Sequence, residues 1–193
     1  MSSNGAVRDW LFKGLAVEDL LDGLELEGIS VRAAEDPGAV QRVLPLEDFS
    51  PQIRRGAVAA LPAYLALYCL ENAIRELVVE RMQDEFGSDW WTSHTSSELQ
   101  TKVEQRQGKE GRNRWHTRRG AQEIYYTDFG DLIAIIRRNW DAFADLFPDV
   151  SWVVTRLQEL ESSRNIVAHN NQLDDRELQR IRMYLQDWTR QLG

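Results

Sequence analysis

The sequence is poor in cysteine, histidine and lysine, and each shortage removes a class of explanation. One cysteine, Cys69, leaves no internal disulfide to form and fits a reducing compartment. It stands inside an apolar run and reads as a small buried hydrophobe rather than a nucleophile. Three histidines, His94, His116 and His169, lie far apart, and no CxxC pair, HExxH, GxSxG or glycine-rich phosphate loop accompanies them. No metal site and no cofactor are therefore expected. Lysine occurs 3 times against 20 arginines. Arginine suits bidentate phosphate contacts, but a bias in genomic base composition is the weightier account of the skew. No apolar run reaches the ~20 residues that span a bilayer. The most apolar stretch, Gly56 to Leu70, contains Pro62 and reads as a buried helix. The opening MSSNGAVRDW lacks the basic-then-apolar order of a signal peptide. A cytoplasmic protein with no membrane partner is expected.

What is present is ordinary for a globular domain: 42% hydrophobic and 28% charged residues, with seven Trp, six Phe and five Tyr to build a core. A net charge of −8 excludes a surface that coats nucleic acid everywhere, while leaving room for a local basic patch.

Two regions divide the chain. Residues 1–50 form an acidic segment (Glu18, Asp19, Asp22, Glu25, Glu27, Glu35, Asp36, Glu47, Asp48), with a short helix expected near Ala16–Leu24 and a stray strand at Ile29–Val31. This piece is an appended arm or a wrap and carries no evident chemistry. Residues 51–193 read as helical. Leu61, Leu65, Tyr68, Ile74, Leu77, Val78 and Met82 recur at spacings of mostly three and four, and Gly87 ends that helix. Thr95 followed by Glu98 is a capping-box signature for a helix near 96–106, and 106–120 reads as an exposed basic loop. A further helix starts near Asp128, carries Phe129, Leu132, Ile133, Ile136, Trp140 and Phe143, and breaks at Phe147-Pro148. Asp128 and Asp131, three apart at a helix start, are capping carboxylates before they are metal ligands. Two more helices follow, from about Ser151 to Asn170 and, capped by Asp174 and Glu177, through Leu178, Ile181, Leu185 and Trp188. No alternating strand pattern of useful length appears. The expected fold is all-α, a helical bundle of four to five main helices with a longer basic insertion.

The stretch with chemical content is Arg164-Asn165-Ile166-Val167-Ala168-His169-Asn170. Cleaving RNA without a metal needs a group to take the 2′-hydroxyl proton and a cation to stabilise the charged phosphorane. Histidine titrates near neutrality and serves as acid or base. Arginine stays charged and offers a fork of donors to phosphate oxygens. An arginine five residues before a histidine is weak as a pattern by itself: one chance hit is expected in a chain this rich in arginine. On a continuous helix five residues turn the two side chains about 140° apart. The structural alternative makes Arg164 a surface ion-pair partner near Glu161, His169 a helix C-cap and Asn170-Asn171 a plain turn.

The setting is more specific. Asn165 follows the arginine directly, Ile166-Val167-Ala168 precedes the histidine, and the motif closes a helix near the end of a bundle. Together with Leu70-Glu71-Asn72-Ala73-Ile74-Arg75, Trp90-Trp91, Tyr126–Leu132 and Asn139-Trp140, these residues resemble the HEPN superfamily with its R-x4-6-H motif. The likeness is to the subfamily also found in a yeast nuclear messenger-RNA surveillance endoribonuclease, and it covers about residues 58–192. The resemblance implies an HEPN-like bundle, RNA as substrate, and a homodimer whose two motifs line one cleft and release a 2′,3′-cyclic phosphate. Arg164, His169 and Asn165 are the implied catalytic group. Glu71, Asn72 and Arg75, within about one turn of each other, either support the motif helix by hydrogen bonds or form a surface pair.

Arg112, Arg114, Trp115, His116, Arg118 and Arg119, with Lys102, Arg106 and Lys109 before them, combine cations with an aromatic that stacks on a base. A solvated loop explains the same composition equally well. Three functions stay open: a metal-independent endoribonuclease acting as a toxin or phage-defence effector; a non-catalytic HEPN module that dimerises or senses RNA or nucleotide; and a chain that works with a cognate antitoxin or regulatory protein.

Overall fold

A computed structural model describes residues 48–113 and 115–192. The N-terminal helix and strand expected before residue 48 lie outside the described residues, as does Arg114. Among the described residues the secondary structure is all helical: α1 Pro51–Phe86, α2 Trp90–His94, α3 Ser97–Gly111, α4 Phe129–Arg138, α5 Val150–Ala168 and α6 Asp175–Leu192, with 3-10 turns at Glu123–Tyr126 and Trp140–Ala142. The chain divides into two compact units, one of residues Met1–Leu70 and Ser162–Gly193, the other Glu71–Glu161.

Local chemistry explains most helix ends. Ser50 caps α1, its Oγ accepting from Ile53 N at 3.4 Å, and Pro51 takes the first helical position, where a missing N–H costs nothing. Gly87 stops α1 with φ at 77°, a conformation glycine adopts without steric cost. Asp128 and Asp131 form a reciprocal capping box at the start of α4. Asp149 accepts from Trp152 N at 2.9 Å to open α5. Asp174 and Glu177 exchange hydrogen bonds of 2.8 and 3.5 Å at the start of α6.

Four expectations need correction. The cap of α3 is Ser96, accepting from Leu99 N, while the Thr95 hydroxyl donates to Trp91 O. The same helix continues to Gly111, so the first six residues of the supposed basic loop, 106–111, are helical. Leu99 and Val103 anchor it, and the run that follows is rich in good helix formers. The helix α4 ends at Arg138, well short of Phe147-Pro148, because Asn139 Nδ2 donates back to Ile135 O and also to His94 O. Finally, Leu61 and Tyr68 of α1 are exposed, whereas Leu70, Ile74, Leu77, Val78 and Met82 are buried.

In the first unit the buried apolar residues are Val58, Ala63, Ala66, Leu67 and Leu70 of α1 and Ile181, Tyr184, Leu185 and Trp188 of α6. In the second they come from α1 after Leu70, from α3 and α4, and from Phe143, Phe147, Val153, Leu157 and Leu160. By length and composition α1 is able to cross a membrane, since it runs beyond the Gly56–Leu70 stretch. Only 39% of its most apolar window is buried within the molecule.

Candidate active site

The motif sits on the last two turns of α5, and the way the helix stops decides what its side chains can do. His169 N donates to Asn165 O at 3.1 Å, the final bond of the helical ladder. Asn170 N then bonds Val167 O at 2.9 Å and Asn171 N bonds Ile166 O at 3.1 Å, while Asn170 carries a φ of 60°. This pair of bonds with a left-handed residue is the Schellman ending. His169 is thus the C-cap residue, as the structural alternative held, and the Asn171 side chain donates to its carbonyl at 3.0 Å. The cap occupies the histidine's backbone and leaves its side chain in solvent.

Arg164 is half-buried and Asn165 is exposed. Because α5 is unbroken from Arg164 to Ala168, the guanidinium and the imidazole leave the helix about 140° apart, whereas Asn165 and His169 share a face. One copy presents an acid-base group beside an amide. The helix backbone does not set the imidazole and the cation on one face.

Glu71, Asn72 and Arg75 do form one constellation. Arg75 Nη1 donates to Asn72 Oδ1 at 3.0 Å, and Nη2 donates to Glu71 Oε1 and, at 2.9 Å, to Thr127 O. The arginine thereby ties the middle of α1 to the residue before the α4 cap. These residues belong to the second unit; Arg164, Asn165 and His169 belong to the first.

Beside that tie lies a charge network that the sequence did not reveal. Lys102 Nζ donates to Asp131 Oδ1 at 2.6 Å and to Asp128 Oδ2 at 3.3 Å. Arg106 donates to Asp128 Oδ2 at 2.8 Å, to Asp131 Oδ2 at 3.0 Å and to Tyr126 O. Burial pushes the Asp128 carboxyl up, but the Arg106 hydrogen bond, the Asp131 N–H and the Lys102 charge outweigh it and hold the group well below the usual carboxylate range. Arg106 is shifted the other way: burial opposes its charge, yet Asp128 and Asp131 raise its pKa. Lys102 and Arg106 are therefore committed to fastening α3 against the start of α4.

Of the remaining basic residues, Arg112 donates to Gly108 O at 3.2 Å, and Arg119 pairs with Glu110 at 2.7 Å and lies over the Tyr126 ring. His116 and Arg118 are exposed. Trp115 is 95% exposed, so its indole contributes nothing to the core. His94 stacks on Phe86 with ring centroids 3.7 Å apart. Cys69 is half-buried and burial pushes its thiol up, which disfavours the reactive thiolate.

A cleft of about 270 Å³ opens in the second unit, lined by Arg75, Glu76, Glu80, Asp84, Gln122 and Tyr125 among others. Three carboxylates make it a poor seat for phosphate. Among the described residues no three His, Cys, Asp or Glu side chains gather as a metal site.

A family model described as Swt1-like HEPN matches residues 65–193, which takes in the motif, the Arg75 constellation and the charge network. No curated protein and no solved structure matches the chain. With more than half of its length covered by that model, and an all-helical fold around the Arg164–His169 motif, the chain belongs to the Swt1-like HEPN family.

Proposed function

We propose that this protein is a metal-independent endoribonuclease of the cytoplasm whose working form is a homodimer. The observation that carries the reading is the C-cap position of His169. Its imidazole is solvent-facing and free to meet a substrate, on a helix end fixed by backbone bonds. In the proposed reaction an imidazole takes the 2′-hydroxyl proton and the oxygen attacks the adjacent phosphorus. The P–O5′ bond breaks, the 5′-oxygen receives a proton from the partner's imidazolium, and a 2′,3′-cyclic phosphate remains. Arg164 neutralises the phosphorane, and Asn165 orients the imidazole or substrate from the same face. The exposed Trp115, with His116, Arg112, Arg118 and Arg119 near it in sequence, supplies base stacking and phosphate contacts. A toxin or phage-defence role, held in check by a cognate antitoxin or regulatory protein, suits such a nuclease.

The test is incubation of the purified full chain with bulk tRNA in EDTA. Cleavage should yield cyclic-phosphate ends, and His169→Ala should abolish it while the far-ultraviolet circular dichroism stays unchanged. Intact RNA in the presence of folded, dimeric protein would refute the nuclease reading.

A second reading has one observation in its favour. Arg164 and His169 leave the helix roughly 140° apart, which argues against paired chemistry within a single copy. A chain that stays monomeric, binds RNA and cuts nothing is a sensor or adaptor module.

A further inference from the structure

Four amide side chains flank His169 in the chain: Asn165, Asn170, Asn171 and Gln172. Asn165 shares the imidazole's face of α5 and belongs to the site already described. Asn170 takes the left-handed step, with φ at 60°, which asparagine tolerates better than most residues. Asn171 donates to His169 O at 3.0 Å and fastens the turn. Gln172 has no such duty. It is exposed, and its amide forms no hydrogen bond among the described residues. What it has instead is a seat. A Cβ at Gly56 would come within 2.6 Å of Gln172 Nε2, closer than real Cβ contacts, so the amide lies against bare α1 backbone where a side chain would otherwise stand. Gly56 is in the second turn of α1, where glycine weakens a helix relative to alanine and no positive φ calls for it. Its use at that position is the close approach of Gln172.

We infer that Gln172 selects the base at the cut: its amide reads the edge of an adenine beside the scissile phosphate, and Gly56 holds it in place. The inference rests on the nuclease reading above and names the residue that sets which RNA sequences are cut. Reach supports it. Gln172 lies three residues beyond His169, so their Cα atoms are at most about 11 Å apart, a gap that one or two nucleotides bridge. Chemistry points to a base. An amide is neutral, with donor and acceptor side by side, and so suits a base edge better than a phosphate. Bases of single-stranded RNA that leave the stack expose both their Watson–Crick and Hoogsteen edges. Adenine offers an N–H beside a ring-nitrogen acceptor on each of these edges, while the other bases offer a matching pair on the Watson–Crick edge alone. Glutamine to adenine is a recurrent bidentate pairing for that reason. The surroundings admit a polyanion: Gln52, Arg55 and Ala59, exposed beside Gly56 on α1, carry no negative charge. The acids after the loop, Asp174, Asp175 and Glu177, stand at the start of α6, where Asp174 and Glu177 form its cap.

The experiment reads binding apart from cutting. The probes are labelled 2′-fluoro hexamers of adenosine, cytidine or uridine, which lack the attacking hydroxyl. Fluorescence anisotropy should show the full chain holding the adenosine strand about fivefold or more tighter than the other two, the low end of what one bidentate base contact gives. Gln172→Ala should erase that difference with Tm and circular dichroism unchanged. Gly56→Ala should keep or raise Tm, because alanine is the better helix former, yet lose part of the preference. The double variant should be no worse than Gln172→Ala, since both changes act on one amide. Sequencing of the ends cut from a random single-stranded RNA should place adenine beside the cut for wild type and not for Gln172→Ala. Equal affinity for the three hexamers, no binding of any, a preference that Gln172→Ala keeps, or a double variant worse than Gln172→Ala overturns the inference. Protein that favours adenosine through Gln172 but leaves RNA intact sinks the nuclease reading alone. Protein that cuts RNA with no base preference, or with one that Gln172→Ala retains, sinks the inference alone.

Discussion

Replacing Asp128 by alanine removes two supports at one point, and the structure sets the scale of the loss. The first is the cap: Asp128 Oδ1 accepts from Asp131 N at 3.0 Å, and removing an aspartate cap costs about 1 kcal/mol. The second is the ion pair with Arg106 at 2.8 Å and the longer one with Lys102 at 3.3 Å. Both partners are about a quarter exposed or more, so solvent screening limits these pairs to about 1 kcal/mol together. The sum, about 2 kcal/mol, lowers Tm by about 4–8 °C for a chain of this size. The pH dependence has a definite sign. A carboxylate whose folded pKa is depressed contributes its full stability above about pH 4, the ordinary aspartate value, and loses it as pH falls through the lower folded value. The gap between wild type and Asp128→Ala should therefore be constant from pH 6 to 8 and narrow at pH 3. Thermal melts followed by circular dichroism at both pH values measure it. A Tm change under about 1 °C at pH 7, or a gap that widens on acidification, would refute the argument.

Other outcomes follow from the same geometry. Asn170→Gly should be neutral or slightly stabilising, because φ at 60° suits glycine, whereas Asn170→Val should cost about 1–2 kcal/mol and lower RNA cleavage by displacing the His169 cap; equal melting and equal cleavage for both would contradict this. Trp115→Ala should leave Tm unchanged and weaken single-stranded RNA binding by roughly tenfold, the loss of one stacked base, as fluorescence anisotropy would show. Arg75→Met should destabilise the second unit by about 1–3 kcal/mol, since Glu71 and Thr127 O lose a shared charged donor, and urea unfolding of the full chain reads that change. An equimolar, subunit-exchanged mixture of wild-type and His169→Ala proteins should keep about a quarter of the cleavage of the same total of wild type, since only dimers with two imidazoles complete the site; about half kept would remove the case for a site shared between copies.

What was legible in the sequence was local. Gly87 ending α1, Asp128 with Asp131, and Asp174 with Glu177 all act within one turn of chain, and each lies where the pattern put it. Apart from the cap and length of α3, the errors arise where a distant partner decides. Asn139 closes α4 early because its amide reaches His94 O, 45 residues away in sequence. Lys102 and Arg106 looked like phosphate ligands until the fold set Asp128 and Asp131 opposite them. Along α1, spacings of three and four mark Leu61 and Tyr68 as readily as Leu70 and Leu77. Periodicity locates apolar faces but not which of two the core takes, and here the N-terminal half keeps one outside.

The candidate site shows the same division in one motif. Arginine and histidine at this spacing recur by chance, so the letters alone say little. What gives the spacing physical meaning is the helix ending. Asn170, tolerant of the left-handed conformation, lets the chain leave the helix directly after His169, and the Asn170 and Asn171 N–H groups satisfy the carbonyls of Val167 and Ile166. The histidine is then held at both backbone ends while its side chain is exposed. Had the helix run on, the imidazole would be one more surface side chain on a regular face; had it frayed, the ring would have no fixed position. A capped end gives position without enclosure.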